Sequence, residues 1–136
     1  MLTTHLSEII GTPREVDWGN GTSQRLLISR DGRGFTLTDT FVRPNTETVL
    51  RYDHHLEACY CISGSGEVVW EGGRARLAPD ALYAPDRSEE HTLVAFEEGL
   101  RLICVFNPPL TGNETHDLSE GMASGYQPSW AVEAPR

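Results

Sequence analysis

Short runs of alternating apolar and polar residues, each cut off by Gly, Pro, Asn or Asp, repeat along almost the whole chain. Residues 35–42 show the pattern well: Phe35, Leu37, Asp39 and Phe41 alternate with Thr36, Thr38, Thr40 and Val42. That is the period of two that a strand requires, and it leaves no window for a long amphipathic helix. The same reading places strands at 25–28, 46–52, 56–62, 67–71, 74–77, 81–84, 92–96 and 100–106. Gly72-Gly73 predicts a hairpin turn, and Ser63-Gly64-Ser65-Gly66 a tight turn. Only the first ten residues leave room for a helix or an N-terminal strand. Many short strands joined by Gly-rich turns bury their apolar faces best by closing on themselves. The expected fold is therefore all-β, a sandwich or barrel of the jelly-roll kind.

A chain of 136 residues suits a single domain with one core, expected over residues 1–118. Residues 119–136 are rich in Gly, Ser, Pro and Ala, with Tyr126 and Trp130 as isolated aromatics, and read as a flexible tail or lid. A formal net charge of -9 argues against nucleic acid or an anionic membrane as partner, since both call for a basic surface. No apolar run approaches the roughly 18 to 20 residues of a membrane-spanning helix. The start, Met1-Leu2-Thr3-Thr4-His5, lacks the basic and apolar stretches of a secretory signal, so the expected location is cytoplasmic. Cys59, Cys61 and Cys104 are an odd number without zinc-type spacing. Cys59 and Cys61 share one face of a strand and read as small core fillers.

The chemistry concentrates around Tyr52-Asp53-His54-His55-Leu56-Glu57 and downstream at Tyr83 and His91. Glu57 followed by Gly64 is similar to the second half of the first cupin motif, although the two histidines that the motif asks for upstream are replaced by Leu50, Arg51, Tyr52 and Asp53. Gly73 and Pro79 fit the second cupin motif, whose later glycine and histidine are replaced by Ala81 and Ala84. Glu57, Tyr83 and His91 form a coherent alternative ligand set. A carboxylate, a phenolate and an imidazole are hard-to-intermediate donors that suit iron. The competing reading is a core tyrosine, a surface histidine and a hydrogen-bonded glutamate. Further on, Leu102, Cys104 and Phe106 share a strand face, and Asn107-Pro108-Pro109 ends that strand. Glu114, His116 and Asp117 follow, either poised for proton transfer at a barrel mouth or solvated in a loop.

The stretch from Cys104-Val105-Phe106 through Asn107-Pro108-Pro109-Leu110-Thr111-Gly112 to Glu114, His116 and Asp117 closely resembles the ectoine synthases. So do Arg25-Leu26-Leu27, Gly34-Phe35, Thr46-Glu47-Thr48, Tyr52 and His55-Leu56-Glu57-Ala58. The resemblance runs from about Ser23 to Asp117. It implies a cupin barrel, usually a head-to-tail homodimer, that closes N-gamma-acetyl-L-2,4-diaminobutyrate into the cyclic amidine ectoine with loss of water. It further implies iron(II) at Glu57, Tyr83 and His91. Positions matching Arg25, Thr40, Tyr52, His55, Cys104, Phe106, Glu114 and His116 are implied to bind substrate or shape its pocket. Glu114, His116 and Tyr52 are the candidates for catalysis.

Four positions depart from the family pattern. Gly21 stands where a substrate-facing tryptophan is usual, and Trp18, three residues earlier, is the candidate to take its place. Thr38 replaces an amide or imidazole side chain. Asp80 replaces the glycine of a Pro-Gly turn, and His54 a usual Asn. The competing functions are a cyclodehydratase for a different acylated diamino acid, which Gly21 and Thr38 would favour, and a non-catalytic cupin binding a small solute. An iron-dependent oxygenase is a further reading, disfavoured by the tyrosine in the ligand set.

Overall fold

The computed structural model describes residues 1–116 and 125 of the chain. Two long strands organise it: β5 (Leu56–Trp70) and β8 (His91–Asn107) run antiparallel along their whole length. Around them lie α1 (Leu6–Ile9), β1 (Glu15–Asp17), β2 (Gly21–Leu27), β3 (Thr36–Val42), β4 (Thr46–Leu50), β6 (Gly73–Leu77) and β7 (Leu82–Tyr83). The short α1 falls within the ten residues that the sequence left open to a helix. β3 pairs with the second half of β8, and β4 with the first half. β7 pairs with the first half of β5, and β6 with the second half. The long pair therefore passes through two sheets: β1-β2-β3-β8-β5-β7 in one, and β4-β8-β5-β6 in the other. Apolar side chains fill the space between them, including Val42, Cys61, Leu77, Leu100 and Leu102, each at 1 % exposure or less.

The sequence reading differs from the structure at both corners. Ser63-Gly64-Ser65-Gly66 is a bend inside one continuous strand, and residues 92–96 and 100–106 also belong to one strand. Gly64 has φ +92, and a Cβ there would lie 2.0 Å from the carbonyl oxygen of Gly99, itself at φ +70. Only glycine permits both the left-handed backbone and the close crossing. These features resemble a turn in sequence, because a bend and a turn ask for the same residues. The β5–β6 hairpin turns one residue early, at Glu71-Gly72, since Gly73 already pairs with Trp70. β1 and the first half of β2 were not legible as strands. They join through a turn in which Trp18 N–H donates to Gly21 C=O at 3.0 Å.

Pairing registers slip in β5 between Cys61 and Ser63 and again between Gly64 and Gly66. The inward face consequently changes parity: Glu57, Cys59 and Cys61 are buried before the bend, and Gly66 and Val68 after it. β8 does the same, with His91, Leu93 and Ala95 inward, then Leu100, Leu102, Cys104 and Phe106. No described helix is long and apolar enough to cross a membrane. The expectation of a tail or lid at 119–136 lies outside the described residues, Gly125 apart.

Replacing Gly64 with Ala should destabilise the protein by at least about 2 kcal/mol, because a Cβ there meets backbone on a positive-φ residue. Gly34→Ala, with φ +83 but open space around the new Cβ, should cost roughly 1 kcal/mol. Urea unfolding of the two variants checks the difference, and equal losses would mean that the corner is not constrained.

Candidate active site

One end of the space between the sheets remains open as a narrow cavity of about 30 Å³. Glu57 and Cys59 enter its wall from β5, Tyr83 from β7, and Cys104 and Phe106 from β8. Thr40, Leu50, Tyr52, Leu93 and Leu102 complete the floor and sides, while Trp18 and His116 stand over it. Strand pairing fixes this arrangement. Cys59 is directly opposite Cys104 on one side and Tyr83 on the other, and Glu57 is opposite Phe106.

Glu57 is 7 % exposed, and burial raises its carboxyl pKa to about 7, with a hydrogen bond from Cys59 opposing the shift. Its Oε1 has no hydrogen-bond partner among the described residues. Such an atom is costly to leave bare. His91, 3 % exposed, is buried rather than on the surface. Its Nδ1 lies 2.9 Å from the carbonyl oxygen of Glu89, whereas its Nε2 has no partner. A neutral ring donating through Nδ1 leaves the Nε2 lone pair available, the arrangement in which metal-ligating histidines are held. Burial lowers the pKa of His91 and so favours that neutral form. Tyr83 is 8 % exposed, with its ring centroid 5.9 Å from that of His91. Burial, then the neighbouring Cys59 and Glu57, push its phenol well above the usual value. A cation would answer all three features, by coordinating the bare oxygen and nitrogen and by displacing the phenolic proton. His91 does not border the 30 Å³ space itself. Glu57, Cys59 and Cys104 are a group whose ligand atoms all lie within 4.8 Å of one another, so the described residues include a possible metal site.

The loop after β8 brings the remaining residues to the mouth. Leu110, fully buried, receives a hydrogen bond from Ser29 N–H at its carbonyl and donates its own N–H to Thr36 Oγ1. Glu114 then turns back on its loop, its carboxylate accepting from Thr111 N–H at 2.7 Å and Gly112 N–H at 2.9 Å. Arg25, fully buried on β2, donates to the Glu114 carbonyl at 2.5 Å and lies 3.5 Å from its carboxylate. Arg25 is not among the residues lining the 30 Å³ cavity.

His116 occupies the mouth, its Nε2 3.1 Å from the Tyr52 hydroxyl and its ring edge-on to those of Trp18 and Tyr52 at 5.5 and 5.7 Å. Burial, reinforced by the positive charge of Arg25 and by His91, lowers its pKa to about 3, so the ring is neutral at physiological pH. His55 is buried edge-on to Phe106 at 6.3 Å, outside the cavity lining. Burial lowers its pKa, and the Glu114 carboxylate opposes the shift. Thr40 faces the cavity, with its hydroxyl 2.8 Å from that of Thr38.

Trp18 covers the cavity because of the β1–β2 turn that carries it, with its indole N–H donating to the Phe41 carbonyl at 3.3 Å. At Gly21 a Cβ would fall 1.8 Å from that same carbonyl oxygen, so no tryptophan fits there on this backbone. Cys59 is the wall residue that the sequence reading treated only as filler. Its spacing of two from Glu57 was the available signal.

A sequence model of the family described as ectoine synthase matches residues 1–125. An L-ectoine synthase from Desulfatibacillum aliphaticivorans is 52% identical over 121 residues, covering 86% of this chain and 92% of that protein. A crystal structure of ectoine synthase from P. lautus matches with a TM-score of 0.78 at 45% identity, covering 82% of this chain and 81% of that one. The fold alone is shared with a Cupin 2 conserved barrel domain protein from Salinispora arenicola CNS-205, at 18% identity and a TM-score of 0.62 over 78% of this chain and 87% of that one. The bent two-sheet architecture is that of a cupin barrel, and with the match extending through the strands and the mouth loop alike, the chain belongs to the ectoine synthase family.

Proposed function

We propose that the chain closes N-gamma-acetyl-L-2,4-diaminobutyrate into ectoine, with Glu57, Tyr83 and His91 holding iron(II). The observation that carries the metal assignment is the pair of buried, unpartnered atoms, Glu57 Oε1 and His91 Nε2, with Tyr83 beside Glu57 in the cavity wall and its ring 5.9 Å from that of His91. A cation held there would supply Lewis acidity toward the acyl oxygen of the substrate.

The reaction needs a flexible chain folded so that its amine nitrogen meets its own acyl carbon. A carbon–nitrogen bond forms, the acyl oxygen becomes a hydroxyl, and that hydroxyl then leaves as water while the amidine double bond forms. Phe106, Leu102 and Leu93 enclose the chain apolarly and limit the shapes it can take. Trp18 supplies an aromatic wall that Gly21 cannot, which supports the family substrate over a different acylated diamino acid. The Thr40 hydroxyl is the polar group best placed to orient the substrate from the floor.

Protons must leave the substrate ammonium and return to the departing hydroxyl. The Tyr52–His116 pair, in hydrogen-bond contact at the mouth, is placed to move them. Glu114 is committed to Thr111, Gly112 and Arg25, so Arg25 and Glu114 act as positioning residues that fix the loop carrying His116. A cavity of about 30 Å³ holds little more than a water or an ion. Admitting substrate therefore requires His116 to give up its ring contacts with Trp18 and Tyr52 on entry, and its hydrogen bond to Tyr52 must re-form before protons move.

We also propose a homodimer formed on the outer face of β5, β7 and β8. Leu56, Tyr60, Ile62, Leu82 and Val105 are all at least 36 % exposed there, an apolar grouping that is unusual for free surface.

Glu57→Ala should lose bound iron and ectoine formation together, each by at least about 100-fold. Metal analysis of the purified variant and chromatographic detection of ectoine check this, and full activity without Glu57 would overturn the assignment. The raised pKa of Glu57 has a thermodynamic consequence in the metal-free protein. Its folded value of about 7 exceeds its reference value of 4.5, so stability falls as pH rises from about 4.5 to 7, by roughly 3 kcal/mol in all. Metal-free Glu57→Gln should therefore be more stable than metal-free wild type at pH 8 and equal to it near pH 4, read by urea unfolding. Leu82→Glu should shift the protein from dimer to monomer in sedimentation velocity, and an unchanged mass would move the interface elsewhere.

A further inference from the structure

The cavity carries donors beyond the carboxylate, phenol and imidazole. Cys59 and Cys104 are free thiols, 1 % and 3 % exposed, facing each other across the β5–β8 pairing. Their sulfurs and a Glu57 carboxylate oxygen lie within 4.8 Å of one another, and all three residues border the same 30 Å³ space. Glu57, whose Oε1 is buried without a partner among the described residues, supplies the carboxylate of this group.

We propose that Glu57, Cys59 and Cys104 form a second, sulfur-bearing donor set for a thiophilic divalent cation of the zinc(II) or cobalt(II) class. This rests on the reading that the cavity holds a cation, and it divides that cavity into two overlapping sites that share Glu57. Toward His91 the donors are oxygen and nitrogen. Toward the β5–β8 ladder they are two sulfurs and an oxygen, with the Tyr83 hydroxyl beside Cys59. Soft thiolates select zinc and its relatives over harder cations. With metal–sulfur bonds of about 2.3 Å, donors around a tetrahedral ion sit about 3.7 Å apart. The donors already lie within 4.8 Å of one another, so a contraction of about 1 Å brings them to that spacing. Each thiol gives up its proton on binding, as does the Glu57 carboxyl wherever it is protonated, so the ion enters as two or three protons leave. The occupant would then be set by which cation is available, and a thiophilic one would sit nearer the strands than a cation held by Tyr83 and His91.

The test uses the full chain, stripped of metal, kept reduced and titrated with cobalt(II) alone. The expected result is one cobalt per chain with a sulfur-to-cobalt charge-transfer band in the near ultraviolet. That band should be lost in Cys59→Ser and in Cys104→Ser, and kept in His91→Ala. Stoichiometric cobalt without such a band would overturn the proposal and leave the Glu57, Tyr83 and His91 site standing. Failure to retain cobalt at all would overturn both. Should a cysteine variant fail to fold, zinc X-ray absorption of the wild type decides instead: sulfur neighbours at about 2.3 Å support the proposal, and a shell of oxygen and nitrogen alone refutes it.

Discussion

The site depends on a change of face within a single strand. In an uninterrupted strand, residues thirteen apart point to opposite sides, and His91 and Cys104 of β8 would then never meet one interior. Both are buried because the strand bends near Gly99 and its inward face shifts by one residue. β5 makes the matching shift where its Gly64 crosses Gly99, which lets Glu57 and Val68, on opposite sides of that bend, both face inward. Neither strand could bend alone, since the ladder between them continues on both sides of the corner. The same crossing therefore folds the sheet, closes the core and gathers donors from both ends of β8.

Alternation made most strands legible, and the strand face shared by Leu102, Cys104 and Phe106 could be read from spacing alone. The corners could not be read that way. Gly64 and Gly66 signal a change of direction, and only the pairing partner determines whether the chain reverses or bends and continues. Glu57 and Tyr83 were recognisable as candidates, but their adjacency comes from Cys59 pairing with both β7 and β8. The Arg25–Glu114 tie joins positions 89 residues apart. No local pattern announces it. Trp18 is an intermediate case: the sequence showed a missing aromatic and a nearby replacement, while the turn that delivers it depends on β1, whose short pairing with β2 was not apparent.

The interior is costly in a way that bears on function. Around Glu57 are two thiols, a phenol, Phe106 and aliphatic side chains, and nothing among the described residues pairs with Oε1. A leucine of similar volume would make a more stable shell, because buried ionisable groups rarely repay their desolvation. Sites that keep such groups generally trade stability for a ligand. Around the mouth loop the polar groups are tied locally: the Glu114 carboxylate accepts from two backbone N–H groups beside the charge of Arg25, and Leu110 is held at both its N–H and its C=O. The molecule leaves Glu57 Oε1 unmet in the cavity wall while the loop at the mouth is held by hydrogen bonds.

That division suits a reaction whose product is water. Condensation in bulk solvent runs against a large excess of water, and a dry compartment weakens the reverse attack on the amidine. An apolar lining serves that end, and Leu50, Leu93, Leu102 and Phe106 supply it. Water formed there needs an exit, and the mouth offers the Tyr52 hydroxyl and the His116 nitrogen, 3.1 Å apart, as successive hydrogen-bond partners. With its pKa held near 3, His116 stays uncharged in the closed state and does not draw a hydration shell inward. Its neutrality, imposed by burial and by the positive charge of Arg25, is thus part of keeping the chamber dry.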